Sequence, residues 1–310
     1  MFNTAIWSTL TKDTYGYETS KFADNGFKLH YSKVKNKIGD YIISPSFGDF
    51  VRISSDNFSS LENFGESEKF TPIKLKIWCD TAPETNIFDV REAGFIHEID
   101  FNSKEHWLSE KISYNFRRYL KSNLKTRISN TKKDIRDFFL MHTKLRFFKF
   151  KEIPQPWSFF EKIYENYFKS NKGYVISCYD PDENLIAGIL FIIHKSTCYY
   201  KFNASYPEGL KYQPNNILIG NLIDFCSEKG IKKLNLGFTG SSKHYSGLRK
   251  FKLKAGASEH KRYILENKAS LGLDRSLIKK INSKIKILTD KEFDQETVNE
   301  YSNKYYKYFI

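Results

Sequence analysis

The stretch YVISCYDPDENLIAGILFIIHKSTCYYKFNAS, residues 174–205, decides the reading of this chain. Tyr174 to Tyr179 is an apolar, β-branched and aromatic run, and Asp180 to Asn184 is a polar, Pro-containing turn. Leu185 to Ile193 is apolar except for Gly188, so it reads as a buried strand. After a short turn at Lys195 to Thr197, a third strand sets Cys198, Tyr200, Phe202 and Ala204 on one face. Tyr199, Lys201, Asn203 and Ser205 fall on the other. Three strands joined by short turns make an antiparallel meander.

Downstream, the polar connector Tyr206 to Gln213 leads to Pro214, placed where proline suits the first helical turn. The helix that follows carries Leu218, Leu222 and Phe225 on one side and stops at Lys229-Gly230. A strand at Lys232 to Gly237, a polar loop to Gly247, a basic helix from Leu248 to Lys254 ending at Gly256, and a strand at Lys261 to Leu265 complete the order β-β-β-α-β-α-β. A helix at Trp157 to Lys169 precedes the meander.

The first hundred residues repeat this style in shorter pieces. Lys28 to Val34 and Tyr41 to Ser44 form a hairpin, Asp56 to Phe64 a short helix, and Ile73 to Trp78 a half-buried strand. Phe88 to Gly94 reads as a short helical piece before a strand at Phe95 to Phe101, echoing the helix that ends at Ala255-Gly256. Asn102 and Glu105 form a capping box for a helix with Leu108, Ile112, Phe116 and Leu120 on one face and Arg117, Lys121 and Lys125 on another.

The chain has 310 residues and a net charge of +14, from 50 Lys+Arg against 36 Asp+Glu, which biases its partners toward polyanions. The longest apolar run is far shorter than the roughly 20 residues that span a bilayer, and Met1 to Leu10 has no signal-peptide pattern. Cys79, Cys178, Cys198 and Cys226 are scattered with no ligand spacing, so no disulfide framework or metal site is expected, and the protein is placed in the cytoplasm. There is no GxSxG elbow, phosphate-binding GxxxxGK[ST] loop or HExxH motif.

What remains is a place for an anion. The helix opening at Pro214-Asn215-Asn216 presents unpaired N–H groups and its positive dipole end, with Tyr212, Gln213 and Lys201 close by in this topology. Capping alone also accounts for Asn215 and Asn216. The loop Gly237 to Gly247 is rich in glycine and hydroxyls, and Arg249 and its neighbouring lysines are aimed at the same region.

Three pieces of this half resemble the GNAT-type domain of the Fem-type (FemAB-like) peptidyltransferase and acetyltransferase superfamily. They are Tyr199-Tyr200-Lys201-Phe202-Asn203-Ala204-Ser205, then Pro214-Asn215-Asn216-Ile217-Leu218 with Glu228-Lys229-Gly230, then Leu234-Asn235-Leu236-Gly237 with Gly247-Leu248-Arg249-Lys250-Phe251-Lys252. Tyr114-Asn115-Phe116-Arg117-Arg118 is similar to the helix that joins the two units in such proteins. The resemblance implies an α/β (α+β) chain of two tandem GNAT-like units, each a mixed, mainly antiparallel sheet flanked by helices. The expected division is an N-terminal unit with linking helix at 1–125, a catalytic unit at 126–268, and a basic helical tail at 269–310.

It also implies N-acyl transfer to an amine on a sugar, glycan or lipid-linked cell-envelope precursor. The donor would be acyl-CoA, or aminoacyl-tRNA in a peptidyltransferase; the competing class is a non-catalytic scaffold for RNA or a membrane surface. Lys201, Asn203, Tyr212, Gln213, Asn215, Asn216 and Arg249 are the expected substrate-binding residues, with no metal. Asn235 stands where the family usually has Asp, the usual CoA pyrophosphate pattern is missing, and Phe251 replaces a last-helix Tyr. Tyr245 and Lys252 are therefore the expected donors of the proton that the leaving group needs, since tyrosine and lysine side chains ordinarily hold theirs at neutral pH. The tail segment Arg275 to Leu288 has an apolar stripe beside lysines, which suits either docking on its own domain or peripheral contact with the anionic inner face of a membrane.

Overall fold

A computed structural model describes residues 1–102, 123–269 and 276–309. The helix expected after Asn102 lies largely outside the described residues. The strands among them are β1 (Glu18–Asp24), β2 (Phe27–Asn36), β3 (Gly39–Ser44), β4 (Val51–Arg52), β5 (Ile73–Trp78) and β6 (Asp89–Asp100). The second half adds β7 (Lys125–Ser129), β8 (Gly173–Tyr179), β9 (Leu185–His194), β10 (Thr197–Ser205), β11 (Lys233–Thr239) and β12 (Ser258–Glu266).

All join one open sheet in the order β1-β2-β3-β5-β12-β6-β11-β10-β9-β8-β7, with β4 beside β5. Pairing is antiparallel except where β3 and β4 meet β5 and where β10 meets β11. Strands from the two ends of the chain interleave: β12 lies between β5 and β6, and β6 lies between β12 and β11.

Both faces of the sheet are covered, as its apolar strands require. The helix Pro214–Glu228 lays Leu218, Leu222 and Phe225 over β8 to β11, against Ile176, Phe191, Cys198 and Leu234. On the opposite face the helices Ala5–Tyr15, Lys132–Leu145 and Trp157–Ile163 bury an aromatic cluster that includes Trp7, Phe138, Phe159 and Phe160. The meander and the Pro214 helix thus form where their periodicity places them.

Three readings need correction. Phe88 to Gly94 is not helical, because from Asp89 onward the chain is already β6. From Asp89 to Gly94 the strand pairs with β12, and β11 joins on the other side only from Phe95. Gly94 (φ 115°) makes the irregularity that the sequence suggests; a Cβ there would stand 2.1 Å from the Thr239 carbonyl oxygen. The echo between the halves therefore lacks its first helical member. Strand β10 does not alternate cleanly either. A bulge between Tyr200 and Phe202 turns Phe202 and Ala204 toward the Trp7 cluster, while Cys198 and Tyr200 face the Pro214 helix. Finally, β11 runs on to Thr239 and a 3-10 turn occupies Lys243–Tyr245, so the loop after Gly237 is shorter than it reads.

The tail takes the docked alternative. In the helix Ser276–Thr289, Ile281, Ile285 and Leu288 are buried with Phe147 and Val298.

Candidate active site

Strands β10 and β11 pair at only three positions, Thr197 with Lys233, Cys198 with Leu234 and Tyr199 with Asn235. Both continue beyond this point, and both are bulged, at Tyr200/Phe202 and at Asn235/Phe238. Bulges bend strands and raise their twist, so the pair splays into a wedge. Gly237 turns the second bulge with φ 72°, and its N–H donates to Asn235 Oδ1 at 2.9 Å. Asn235, where the resemblance leads one to expect Asp, is thus spent on shaping the strand.

The wedge opens into a cleft of about 1050 Å³. Its inner end is Tyr200, Leu236 and Gly237. Asn203, Ser205 and Asn215 line the side of the Pro214 helix; Tyr245, Leu248 and Lys252 line the side of the helix Ser246–Lys254. From the opposite face of the sheet come His142 and the π-helical turn Arg146–Phe150, and Asp49 arrives from the loop after β3. The cleft is therefore lined by elements from both faces of the sheet.

Of the residues singled out from sequence, Lys201, Asn203, Asn215, Tyr245 and Lys252 come together here. Asn203 donates to Asn215 Oδ1 at 2.9 Å, which ties β10 to the helix start. Tyr212, Gln213, Asn216 and Arg249 lie outside the lining. Tyr212 packs on the core under the Lys211 ammonium. Gln213 holds the left-handed conformation just before Pro214, and Asn216 Nδ2 donates to Gln213 Oε1 at 3.5 Å. Arg249 makes a bidentate pair with Glu259, both contacts 2.6 Å, and stacks on Phe95.

Asp49 and His142 were not anticipated. Asp49 sits in a polar loop with no periodicity to single it out, and its partners come from distant strands. It pairs with Lys201 at 3.2 Å, and the Lys201 ammonium is enclosed by the rings of Phe2, Trp7 and Phe202. His142 is held neutral, its pKa pushed down to about 3 by burial and by the nearby Arg146 charge.

Lys252 is buried and donates to the Phe238 carbonyl at 2.9 Å. Burial drives its pKa down to about 7, against the pull of Asp49 and with the push of Arg262. It therefore does not simply hold its proton at neutral pH, as an exposed lysine would; it can give or take one. Lys76, whose ammonium donates to the Gly48 carbonyl, is likewise lowered to about 7, first by burial and then by Lys74. Arg262 is wedged between the rings of Phe50 and Phe238, at 4.3 and 4.0 Å, and feels the same Asp49. Four cations thus share one carboxylate beneath the cleft.

Residues 110–262 match the model of the acetyltransferase (GNAT) domain family. The chain carries a GNAT-type acyltransferase domain. As an enzyme it is a transferase of that class, and the splayed β10/β11 wedge lies within the GNAT match. Among solved structures the chain is similar to FemX, with 14% identity, 91% of this chain and 94% of that one covered, and a TM-score of 0.62. It is also similar to L-PGS from Bacillus licheniformis, at 12% identity, 93% and 92% coverage and a TM-score of 0.55. A C-terminal domain from Agrobacterium fabrum, assigned to a lysylphosphatidylglycerol synthetase, gives 11% identity, 89% and 92% coverage and a TM-score of 0.58. These likenesses establish the Fem-like GNAT fold. No curated protein sequence matches the chain. Among the described residues no group of side chains is suited to hold a metal ion, and no helix is long and apolar enough to cross a membrane.

Proposed function

We propose that this GNAT enzyme transfers an acyl group from a phosphate-bearing donor to the amine of a sugar, glycan or lipid-linked cell-envelope precursor. The observation that carries the reading is the wedge between β10 and β11, lined from both faces of the sheet and flanked by Lys252 and Tyr245. The donor approaches beside the start of the Pro214 helix, where helix N–H groups and Asn215 suit phosphate. The acceptor approaches past Arg146–Phe150. In this reading 1–125 and 126–268 are two GNAT-like units followed by a basic helical tail, and the first unit lends Asp49 to the site of the second.

The amine lone pair attacks the acyl carbon, and the bond to the thiol sulfur or ribose oxygen breaks. The attacking nitrogen loses a proton and the leaving atom gains one. Lys252 is placed for one of these transfers and Tyr245 for the other. Backbone N–H groups on the unpaired edges of the wedge stabilise the carbonyl oxygen as it gains charge. No cysteine lines the cleft, so direct transfer, driven mainly by positioning, is the simplest course.

Acyl-CoA and aminoacyl-tRNA both remain as donors, and both place the reaction in the cytoplasm, where they are made. Aminoacyl transfer is favoured by the likeness to synthetases named for a product that joins a lysyl group to phosphatidylglycerol. The test is to incubate the protein with a cell-envelope extract and either labelled acetyl-CoA or labelled lysyl-tRNA. Label should move to an amine-bearing product from one donor, and not with Lys252→Met. Folded wild-type protein that moves label from neither donor overturns the reading.

A further inference from the structure

Large apolar side chains that remain exposed on a soluble surface are usually scattered. Here they are not. Of the twelve exposed large apolar residues among those described, six line this cleft: Phe148, Phe150, Leu210, Phe238, Tyr245 and Leu248, each between 38% and 54% exposed. Leu253 is exposed on the next turn of the helix that carries Leu248.

Phe148 and Phe150 are presented on a fixed base. They belong to the π-helical turn Arg146–Phe150, whose second residue, Phe147, is fully buried against Ile281, Ile285 and Phe293 of the tail. Lys151 closes the turn in the left-handed conformation and donates to the Thr289 carbonyl at 2.9 Å. With Phe147 anchored, the flanking rings point outward. Such short π segments are frequent at functional sites.

The same rim is basic. Lys144 and Lys149 are exposed on the lining, and Lys211, Lys243 and Lys250 are exposed beside Leu210, His244 and Arg249. Against them stand Glu208 and Glu152, the latter already paired with Arg146. Apolar side chains interspersed with lysines are the composition of a surface that lies in a lipid interface. A nucleic acid would use the cations and could stack on the phenylalanines, but it has no use for Leu210 and Leu248; hydrocarbon does.

We infer that the rim of the cleft, built on Phe148, Phe150, Leu210 and Leu248 and ringed by lysines, docks on an anionic lipid bilayer, so that the acceptor enters from the membrane surface. This rests on reading the cleft as the place of transfer, and it moves the membrane contact from the tail helix, whose stripe is buried, to the mouth of the site.

The experiment is vesicle flotation with phosphatidylcholine alone and with phosphatidylcholine mixed with phosphatidylglycerol. Wild-type protein should float with the mixed vesicles, stay behind with the neutral ones, and be released by salt. Phe148→Ser and Phe150→Ser should each weaken binding by about tenfold, and Lys149→Glu by about fivefold or more. Phe70→Ser and Ile287→Ser, which remove exposed apolar residues elsewhere on the surface, should leave binding as it is. All these positions are exposed, so circular dichroism should show unchanged folds. Wild-type protein that ignores mixed vesicles overturns the inference, as does a Phe148/Phe150 double variant that binds like wild type. Loss of vesicle binding together with rim-dependent self-association would assign the rim to a second copy instead. Flotation needs no donor, so its failure leaves the transfer reading standing, and failed transfer leaves the docking result interpretable.

Discussion

Two charged assemblies sit on either side of the β11 bulge, and they are built on opposite principles. In the first, Glu259 takes both nitrogens of Arg249 and the Nε2 contact of His97 at 2.8 Å. One anion meets one cation, and burial keeps His97 below its ordinary pKa. In the second, Asp49 alone faces Lys201, Lys76, Lys252 and Arg262, and only Lys201 has it as a direct partner among the described residues. The first ties the helix Ser246–Lys254 to β12 and β6. The second holds more positive charge than it neutralises, which is costly in a buried place unless a ligand or a lost proton relieves it. A matched network serves the fold; an unmatched one is poised for chemistry.

The sharpest way to break this contrast is Lys252→Met. It should slow single-turnover transfer by about 10²–10⁴-fold while leaving the protein folded, and Tyr245→Phe should fall toward the lower end of that range. Near wild-type rates for both would assign proton movement to solvent.

Asp49→Asn comes next. Lys201 would be left charged and unpaired inside its aromatic cage, with an expected loss of about 3–5 kcal/mol in denaturant unfolding. Adding Lys201→Met should recover much of it, and a double variant no better than the single one would show that Asp49 is not there for Lys201.

The pH dependence of stability is a smaller effect. Lys76 and Lys252 titrate near 7 when folded and at 10.5 when unfolded, so between those values the unfolded chain binds more protons. Stability contributed by these groups should rise with pH across that window, at up to about 1.4 kcal/mol per pH unit for each. Lys252→Met should flatten the rise; an unchanged slope would mean that Lys252 is not desolvated.

Smallest is Arg249→Met in the matched network. Its side chain is 42% exposed, so solvent screens the ion pair and stability should change little, and transfer should not change. A large loss of rate would blur the distinction between the two assemblies.

Local pattern explains what could be read from the sequence. The meander and the Pro214 helix are long, regular and punctuated by Pro and Gly, and they bring Lys201, Asn203 and Asn215 to the lining of one cleft. The two bulges were invisible because a bulge is a property of a strand and its partner together; Gly237 hinted at one, but nothing local marks Tyr200. Gly94 misled, since a glycine that ends a helix and one that lets a neighbouring backbone approach look the same. Asp49 could not be found at all: its importance comes from Lys201, which is 152 positions away.

The interleaving of β5, β12 and β6 bears on how the protein is made. During synthesis β5 and β6 leave the ribosome long before β12, the strand that pairs with both. Until Glu266 has emerged, the nascent N-terminal half holds open edges that no local partner can close, and such edges invite pairing with other chains. The native order requires a contact spanning most of the polypeptide, which slows folding. Chaperone capture of the nascent half, released only when the last strand is available, is the expected biosynthetic consequence.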